Sequence, residues 1–180
     1  MNRIVKEGSL QFDFSQAVRV LEFDKHISPK VSHCMKCVDF LVEWQNEVWL
    51  VEVKDPKDPN IPEQNSIKEY KRFVSTLYSE KLFSQELGPK AKDSFLYLYL
   101  SRKLIDKPLK YFVLLGLDSF SDSQLLPLNT PLRRSICLSG PGDKEWNTPY
   151  FKAALVFNIR NWNNSFPECL IQRIPGKSTK

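Results

Sequence analysis

Strict alternation of apolar and polar side chains marks residues 37–54, whose sequence is CVDFLVEWQNEVWLVEVK. Two alternating runs flank the polar pair Gln45 and Asn46, a pattern typical of a β-hairpin. A turn centred on that pair predicts that Asp39 faces Glu52 across the two strands. One face of the hairpin is then almost wholly apolar, and the opposite face carries the charged side chains Asp39, Glu43, Glu52 and Lys54.

Helical spacing of apolar residues upstream of the hairpin predicts a short helix over residues 16–25. Ser15 is placed as its N-cap, and apolar residues follow at helical spacing: Ala17, Val18, Val20 and Leu21. On a wheel that advances about 100° per residue, Asp24 falls inside the apolar arc, whereas Glu22 lies at its margin. We therefore expect Asp24 to point inward.

The rest of the chain divides into predicted helices and strands separated by proline and glycine. Three prolines in residues 55–62 predict an extended loop. Ser66 with Glu69 forms a capping-box pattern at the start of a long helix, which Gly88 and Pro89 are predicted to end. Residues 94–101 favour a helix, residues 111–117 a buried central strand, and residues 121–136 a helix interrupted by two prolines. With late strands at residues 155–159 and 169–174, the pattern predicts an α/β protein with a mixed sheet.

Length and composition predict a single domain over residues 1–180. Hydrophobic residues make up 42% of the chain and charged residues 26%, which fits a folded protein and excludes wholesale disorder. The longest apolar run, residues 95–100, is too short to cross a bilayer, and Lys6 and Glu7 stand where a signal peptide would be apolar. We therefore expect a cytoplasmic protein without a membrane partner, whose cysteines stay reduced.

An excess of basic residues gives the chain a formal charge of +5, which favours a polyanionic partner such as nucleic acid. The basic side chains form small clusters along the chain rather than a tail, and an ordinary solvated surface is the favoured explanation for them: Lys68, Lys71 and Arg72; Arg102 and Lys103; Arg133 and Arg134. The charge by itself does not identify a substrate.

The facing carboxylates of Asp39 and Glu52 are the strongest chemical feature of the sequence. Facing side chains in an antiparallel pair lie about 5 Å apart, so two like charges repel unless a cation lies between them. Mg²⁺ or Mn²⁺ suits such oxygen ligands, and the backbone carbonyl of Val53 and water would complete the coordination. Lys54 lies on the same face. If the bound metal polarises a phosphate group, Lys54 is placed to orient the water that attacks this phosphate and to offset negative charge in the transition state. Asp24 is the predicted fourth member of the site.

These residues resemble the PD-(D/E)XK nuclease superfamily, whose pattern is an acid on a first helix, an Asp at a strand start, and Glu/Asp-x-Lys on the next strand. The matching positions here are Asp24 (or, second, Glu22), then Asp39, then Glu52-Val53-Lys54, with Val38 where the family name has proline. The resemblance covers residues 10–60. It implies a restriction-endonuclease-like mixed sheet with flanking helices and a Mg²⁺-dependent endonuclease or exonuclease. Its expected substrate is DNA first and RNA second.

Three alternatives stay open at the level of sequence. The family includes members that no longer cleave, so a non-cleaving nucleic-acid-binding or protein-interaction module with a vestigial site is the second reading. An ordinary exposed sheet face is the third. A zinc site at His26, His33, Cys34 and Cys37 is disfavoured because a second Cys-x-x-Cys pair is absent from the sequence. The sequence leaves open whether the protein is a monomer or a homodimer.

Overall fold

Five strands form the central sheet of the computed structural model, which describes residues 3–56, 63–103, 106–148 and 150–174. Their order across the sheet is β3 (Arg19–Glu22), β4 (Phe40–Glu43), β5 (Val48–Lys54), β6 (Leu109–Leu115) and β7 (Phe151–Asn158). The first three strands form an antiparallel meander, and β6 and β7 run parallel to β5. This arrangement confirms the predicted mixed sheet of an α/β protein.

The predicted hairpin is confirmed over residues 40–54, together with its register, whereas residues 37–39 precede the first strand. Phe40 pairs with Val51 and Val42 pairs with Trp49, as a turn centred on residues 45–46 requires. Alternate side chains enter two separate apolar clusters, because successive residues of a strand point to opposite faces. On the face that carries Phe40 and Trp49, the strand residues are all apolar. The face that carries Leu41 is apolar in its middle and acidic at both ends, with Glu43 near the turn and the two acids of interest, Asp39 and Glu52, at the other end.

The helix predicted over residues 16–25 is wrong. Residues 19–22 form β3, which pairs with β4 through Val20 opposite Val42 and Leu21 opposite Leu41. The helices here are single turns that follow the strand: α1 (Phe23–His26) and α2 (Ser28–Val31). The apolar run is short enough to fit either structure, and pairing with β4 satisfies its backbone groups while half-burying Val20 and Leu21.

A helical crossover connects β5 to the parallel strand β6. It contains α3 (Glu63–Tyr78), a π-helical turn (Phe83–Leu87) and α4 (Gly88–Leu100). The prediction that Gly88 and Pro89 end a helix is wrong, since they begin α4, where the missing N–H of proline costs nothing. The helix predicted over residues 94–101 is confirmed up to Leu100. The loop predicted over residues 55–62 lies outside the described residues from residue 57 onwards, as do the side chains of Ser66 and Glu69.

A second crossover joins β6 to β7 and confirms the proline-interrupted helix. It consists of α5 (Asp122–Leu125), a 3₁₀ turn (Leu126–Leu128) and α6 (Asn129–Ser135). Helices α4 and α6 pack against the face of the sheet that carries Leu41 and Leu50. The two crossovers therefore cover the face on which the acidic residues lie.

A small antiparallel sheet, not predicted from the sequence, covers the other face. Its order is β1 (Ile4–Glu7), β2 (Leu10–Asp13) and β8 (Ile171–Arg173), so the late strand pairs with the N-terminal hairpin rather than with the central sheet. Gly8, with a φ of 54°, supplies the left-handed residue of the tight turn between β1 and β2. Helix α7 (Ile159–Ser165) follows β7. Phe12 of β2 and Trp162 of α7 are both fully buried beneath this layer. The turn places Glu7 close to the acidic end of the central hairpin.

Within the described residues, no helix has both the length and the apolar character needed to cross a membrane.

Candidate functional site

Asp39 and Glu52 are buried acids at the end of the hairpin farthest from its turn. Asp39 immediately precedes β4 and is 6% exposed, while Glu52 lies in β5 and is fully buried. The Val53 N–H donates to Asp39 Oδ2 at 2.6 Å, and the Asp39 carbonyl accepts from the Phe23 N–H at 2.7 Å. Hydrogen bonds to the neighbouring strand and to the start of α1 therefore fix the position of Asp39.

A lysine that the sequence analysis missed lies between these two carboxylates. Lys90 Nζ is 2.6 Å from Glu52 Oε1 and 3.7 Å from Asp39 Oδ1. The two carboxylates thus converge on one positive charge, as the hairpin register predicts, but that charge is supplied by α4. We call Asp39 and Glu52 the acidic pair. Lys90 occupies the position that the sequence predicts for a metal ion.

Lys54 lies beside Glu52 on the same face of β5. Its Nζ is 3.2 Å from Glu52 Oε1, and it also forms an ion pair with Glu86 in the π-helical turn. Glu86 is a second residue that the sequence analysis missed. Because the Glu86 side chain is 43% exposed, Lys54 extends from the buried carboxylate towards the surface.

Of the two candidate helical acids, Asp24 is the one that faces the acidic pair. It lies in the first turn of α1, next to Phe23, whose N–H binds the Asp39 carbonyl. Asp24 Oδ1 is buried and has no hydrogen-bond partner among the described residues. Glu22 instead forms an ion pair with the largely exposed Lys25, at 2.5 Å. Because no helix spans residues 16–25, a helical wheel does not explain why Asp24 points inward; the anchored start of α1 turns its side chain towards the site.

Glu7, from the small sheet, adds a further acid that gave no signal in the sequence. Burial raises its pKa to about 7, and the negative charges of Asp39 and Asp24 act in the same direction. Glu7 is the last residue of β1, and at this position it is within electrostatic range of Asp39 and Asp24. Local pattern could not have predicted this contact.

Burial dominates the electrostatics of the acidic pair. It raises the pKa of Glu52 to about 8, and the charge of Asp39 adds to the effect, while Lys90 and Lys54 oppose it. Burial likewise raises the pKa of Asp39. For Lys90, burial alone would lower the pKa, but the charges of Glu52 and Asp39 outweigh it and raise the pKa. Two lysines therefore do not fully compensate the burial of two carboxylates.

The donor atoms around the acidic pair suit a hard divalent cation. Glu52 Oε2 is buried and has no hydrogen-bond partner among the described residues. The N–H and C=O groups of one strand residue point to the same side, so the Val53 carbonyl faces the edge that its N–H shares with Asp39. Oxygen donors of this kind are those that Mg²⁺ and Mn²⁺ prefer.

Side chains alone do not build a complete coordination sphere. Among the described residues, no three His, Cys, Asp or Glu side chains lie close enough together to hold a metal ion. A cation at the acidic pair would therefore depend on Asp39, Glu52, the Val53 carbonyl and water. Carboxyl groups nevertheless outnumber ammonium groups in the cluster, five to two: Glu7, Asp24, Asp39, Glu52 and Glu86 with Lys54 and Lys90.

The structure does not assemble the alternative zinc site. Cys37 is buried in the core, whereas the other three proposed ligands, His26, His33 and Cys34, are exposed.

Trp49 is buried in the apolar cluster, as its position on the apolar face of the hairpin predicts. Trp146 is exposed and lines a cavity of about 880 Å³, which also contacts Leu109 and Phe151 at the starts of β6 and β7. That cavity is at the opposite end of the sheet from the acidic pair.

Comparisons with protein-family models, with curated proteins and with solved structures find no match to this chain. Function must therefore be inferred from the geometry and chemistry of the chain itself.

Proposed function

We propose that the protein is a divalent-metal-dependent nuclease that hydrolyses phosphodiester bonds, with DNA as the first expected substrate and RNA as the second. The observation that supports this most strongly is the convergence of two buried carboxylates, Asp39 and Glu52, on one cation position, with Lys54 directly beside Glu52. Burying two acids this close together costs stability, so a role in binding a cation explains their presence better than a structural role does.

The restriction-endonuclease-like architecture is part of the same proposal. An antiparallel meander, a helical crossover and two parallel strands give the mixed sheet with flanking helices that the resemblance implies. The acids also lie where that resemblance expects them, one before the middle strand of the meander and one on the next strand. Fold and site residues thus support one interpretation.

Asp39, Glu52 and the Val53 carbonyl would hold the metal, with Asp24 as a nearby acid that can accept from bound water. When bound, Mg²⁺ or Mn²⁺ would supply Lewis-acid activation of the phosphate and a more acidic water. The protein contributes a rigid, largely water-excluded position for these oxygens. The Val53 N–H fixes the orientation of Asp39, so the carboxylate needs little rearrangement to become a ligand.

Lys54 is the proposed catalytic cation. It contacts the buried oxygen of Glu52 on one side and the exposed Glu86 on the other, so its ammonium is held at the boundary between the site and solvent. From there it can donate a hydrogen bond to the attacking water or to a non-bridging phosphate oxygen. The formal charge of +5 adds a general attraction for polyanions.

A cleavage panel tests the proposal. Wild-type protein is incubated with single-stranded, double-stranded and nicked DNA and with RNA, in Mg²⁺, in Mn²⁺ and in EDTA. We expect cleavage of at least one substrate only with metal, and at least a hundredfold loss in Lys54→Ala. The matched control is Lys107→Ala, since Lys107 also pairs with a glutamate of the hairpin, Glu43, but does so at the turn end. Cleavage that persists in EDTA or in Lys54→Ala would contradict the proposal.

One observation favours a second function, that of a non-cleaving nucleic-acid-binding or protein-interaction module. Lys90 already neutralises part of the charge of the acidic pair, as a structural replacement for a lost metal would. A protein of this kind would show salt-dependent binding to nucleic acid, or no binding at all, without cleavage in any metal. The same panel, read by binding as well as by cleavage, separates the two functions.

A further inference from the structure

The backbone of Lys90 is held in place by neighbouring hydrogen bonds, whereas its side chain is long and flexible. Helix α4 is tied to the segment before Asp39 by two hydrogen bonds: the Val38 N–H donates to Ser94 Oγ at 3.0 Å, and the Lys36 N–H donates to Asp93 Oδ2 at 2.9 Å. The ammonium, however, ends a flexible four-carbon chain, and the side chain is 20% exposed. Lys90 can therefore withdraw its charge from the site without moving the helix.

A metal ion and the Lys90 ammonium compete for the same place. A magnesium ion lies about 2.1 Å from a carboxylate oxygen, and Lys90 Nζ already lies 2.6 Å from Glu52 Oε1. If the metal bound the free Glu52 Oε2 instead, the two cations would still be only a few ångströms apart in a buried site, where like charges repel strongly. In either arrangement, the presence of Lys90 opposes metal binding.

We infer that Lys90 is an internal counter-ion of the acidic pair, which a divalent cation must displace, and that Lys90 thereby sets the metal affinity of the site. This inference rests on the proposed function, because it assumes that Asp39 and Glu52 are metal ligands. Without metal, Lys90 keeps the two buried carboxylates from repelling each other. With metal, its side chain moves out towards solvent through its exposed edge. The site thus responds to metal concentration rather than holding metal permanently.

Metal binding by Lys90 variants tests this inference directly. Free Mn²⁺ is followed by electron paramagnetic resonance during titration of the wild type, Lys90→Met, Lys90→Gln and the control Lys92→Met. Lys92 is exposed on the same helix, so its variant reports the general effect of removing one positive charge. We expect Lys90→Met to lower the Mn²⁺ Kd at least tenfold and Lys90→Gln to lower it less, since glutamine still donates a hydrogen bond. Lys92→Met should change the Kd by less than twofold.

Thermal melts of the same proteins show whether each variant folds and give a second readout. Lys90→Met should melt lower than the wild type in EDTA and should gain more from Mn²⁺. An unchanged or weaker Mn²⁺ affinity in folded Lys90→Gln and Lys90→Met would overturn the inference, as would equal tightening in Lys92→Met. If the wild type binds and cleaves but the Lys90 variants bind no more tightly, only the inference fails. If only the Lys90 variants bind metal and the wild type cleaves nothing in any metal, the inference holds and the proposed function fails.

Discussion

Replacing Glu52 by glutamine should stabilise the metal-free protein at neutral pH, although it changes the buried contact with Lys90. The pKa of Glu52 rises from 4.5 to about 8 on folding, mainly because its side chain is fully buried. At pH 7 that difference corresponds to about 3 kcal/mol of folding free energy that the carboxyl group opposes. Glutamine keeps an oxygen that can accept from Lys90, so the changed hydrogen bond costs about 1 kcal/mol. We expect a net gain of about 2 kcal/mol.

The sign of this effect gives it a characteristic dependence on pH. The folded protein holds the Glu52 proton more tightly than the unfolded chain does, so stability is greatest below the unfolded pKa and falls as the pH rises through the folded pKa. Between pH 5 and pH 7, the wild type should lose about 2 kcal/mol relative to Glu52→Gln. Urea unfolding of both proteins in EDTA, at pH 5 and at pH 7, measures this difference, and titrating groups away from Glu52 cancel in the comparison.

Glu43→Gln is the matched control for this measurement. Glu43 lies on the same face of the hairpin at the turn end and pairs with Arg19 and Lys107, at 3.3 and 2.9 Å. This variant should lose about 1 kcal/mol at both pH values, because a partly exposed ion pair contributes little. If Glu52→Gln is less stable than the wild type by 2 kcal/mol or more, or if its stability runs parallel to that of the wild type from pH 5 to pH 7, Glu52 is a structural ion-pair residue and the reasoning is wrong.

Three further predictions concern the framework that holds the site. Asp55→Ala should lower the free energy of unfolding, measured in urea, by about 3–5 kcal/mol, because Arg173 forms a bidentate pair with the buried Asp55 carboxylate at 2.6 and 3.1 Å. The control is Asp118→Ala, which removes the exposed partner of the same arginine and should change the free energy of unfolding by less than about 0.5 kcal/mol. Trp162→Ala should cost about 3–5 kcal/mol in the same assay, because this fully buried ring packs among other aromatic rings; a cost below about 1 kcal/mol would contradict the packing described. Iodoacetamide at pH 8 should label the exposed Cys34 fast and the buried Cys37 and Cys169 slowly, because burial raises the pKa of the two buried thiols to about 11 and about 12. Mass spectrometry measures the labelling rates, and equal rates for the three cysteines would contradict this prediction.

The hairpin and the acidic pair could be predicted because both follow from local pattern. A period of two fixes which side chains share a face, and the position of the turn fixes the register, so Asp39 and Glu52 become neighbours without any knowledge of the rest of the fold. The central strand β6 and the proline-interrupted crossover were predictable for similar reasons. An uninterrupted apolar strand must be buried on both faces, and proline restricts the backbone wherever it occurs.

The parts that could not be predicted depend on contacts between distant segments. Lys90 lies at the start of a helix whose sequence gives no sign of what it faces, and only the packing of α4 over the sheet brings it to Glu52. Glu7 belongs to the small sheet, which covers the opposite face of the central sheet. It reaches the site because the turn after β1 lies near the acidic end of the hairpin. The prediction of a helix over residues 16–25 was wrong for a related reason. Its short apolar pattern fits a strand equally well, and pairing with the distant strand β4 decides between the two structures.

Calorimetric titration of Mn²⁺ into four proteins tests the central claim, that Asp39 and Glu52 together hold a divalent cation. The proteins are the wild type, Asp39→Asn, Glu52→Gln and the control Glu43→Gln, each shown to be folded by circular dichroism. The proposed site predicts one Mn²⁺ ion per chain in the wild type and in Glu43→Gln, and binding at least tenfold weaker in Asp39→Asn and in Glu52→Gln. Equal binding in all four proteins, or no binding in the wild type at millimolar Mn²⁺, would contradict it.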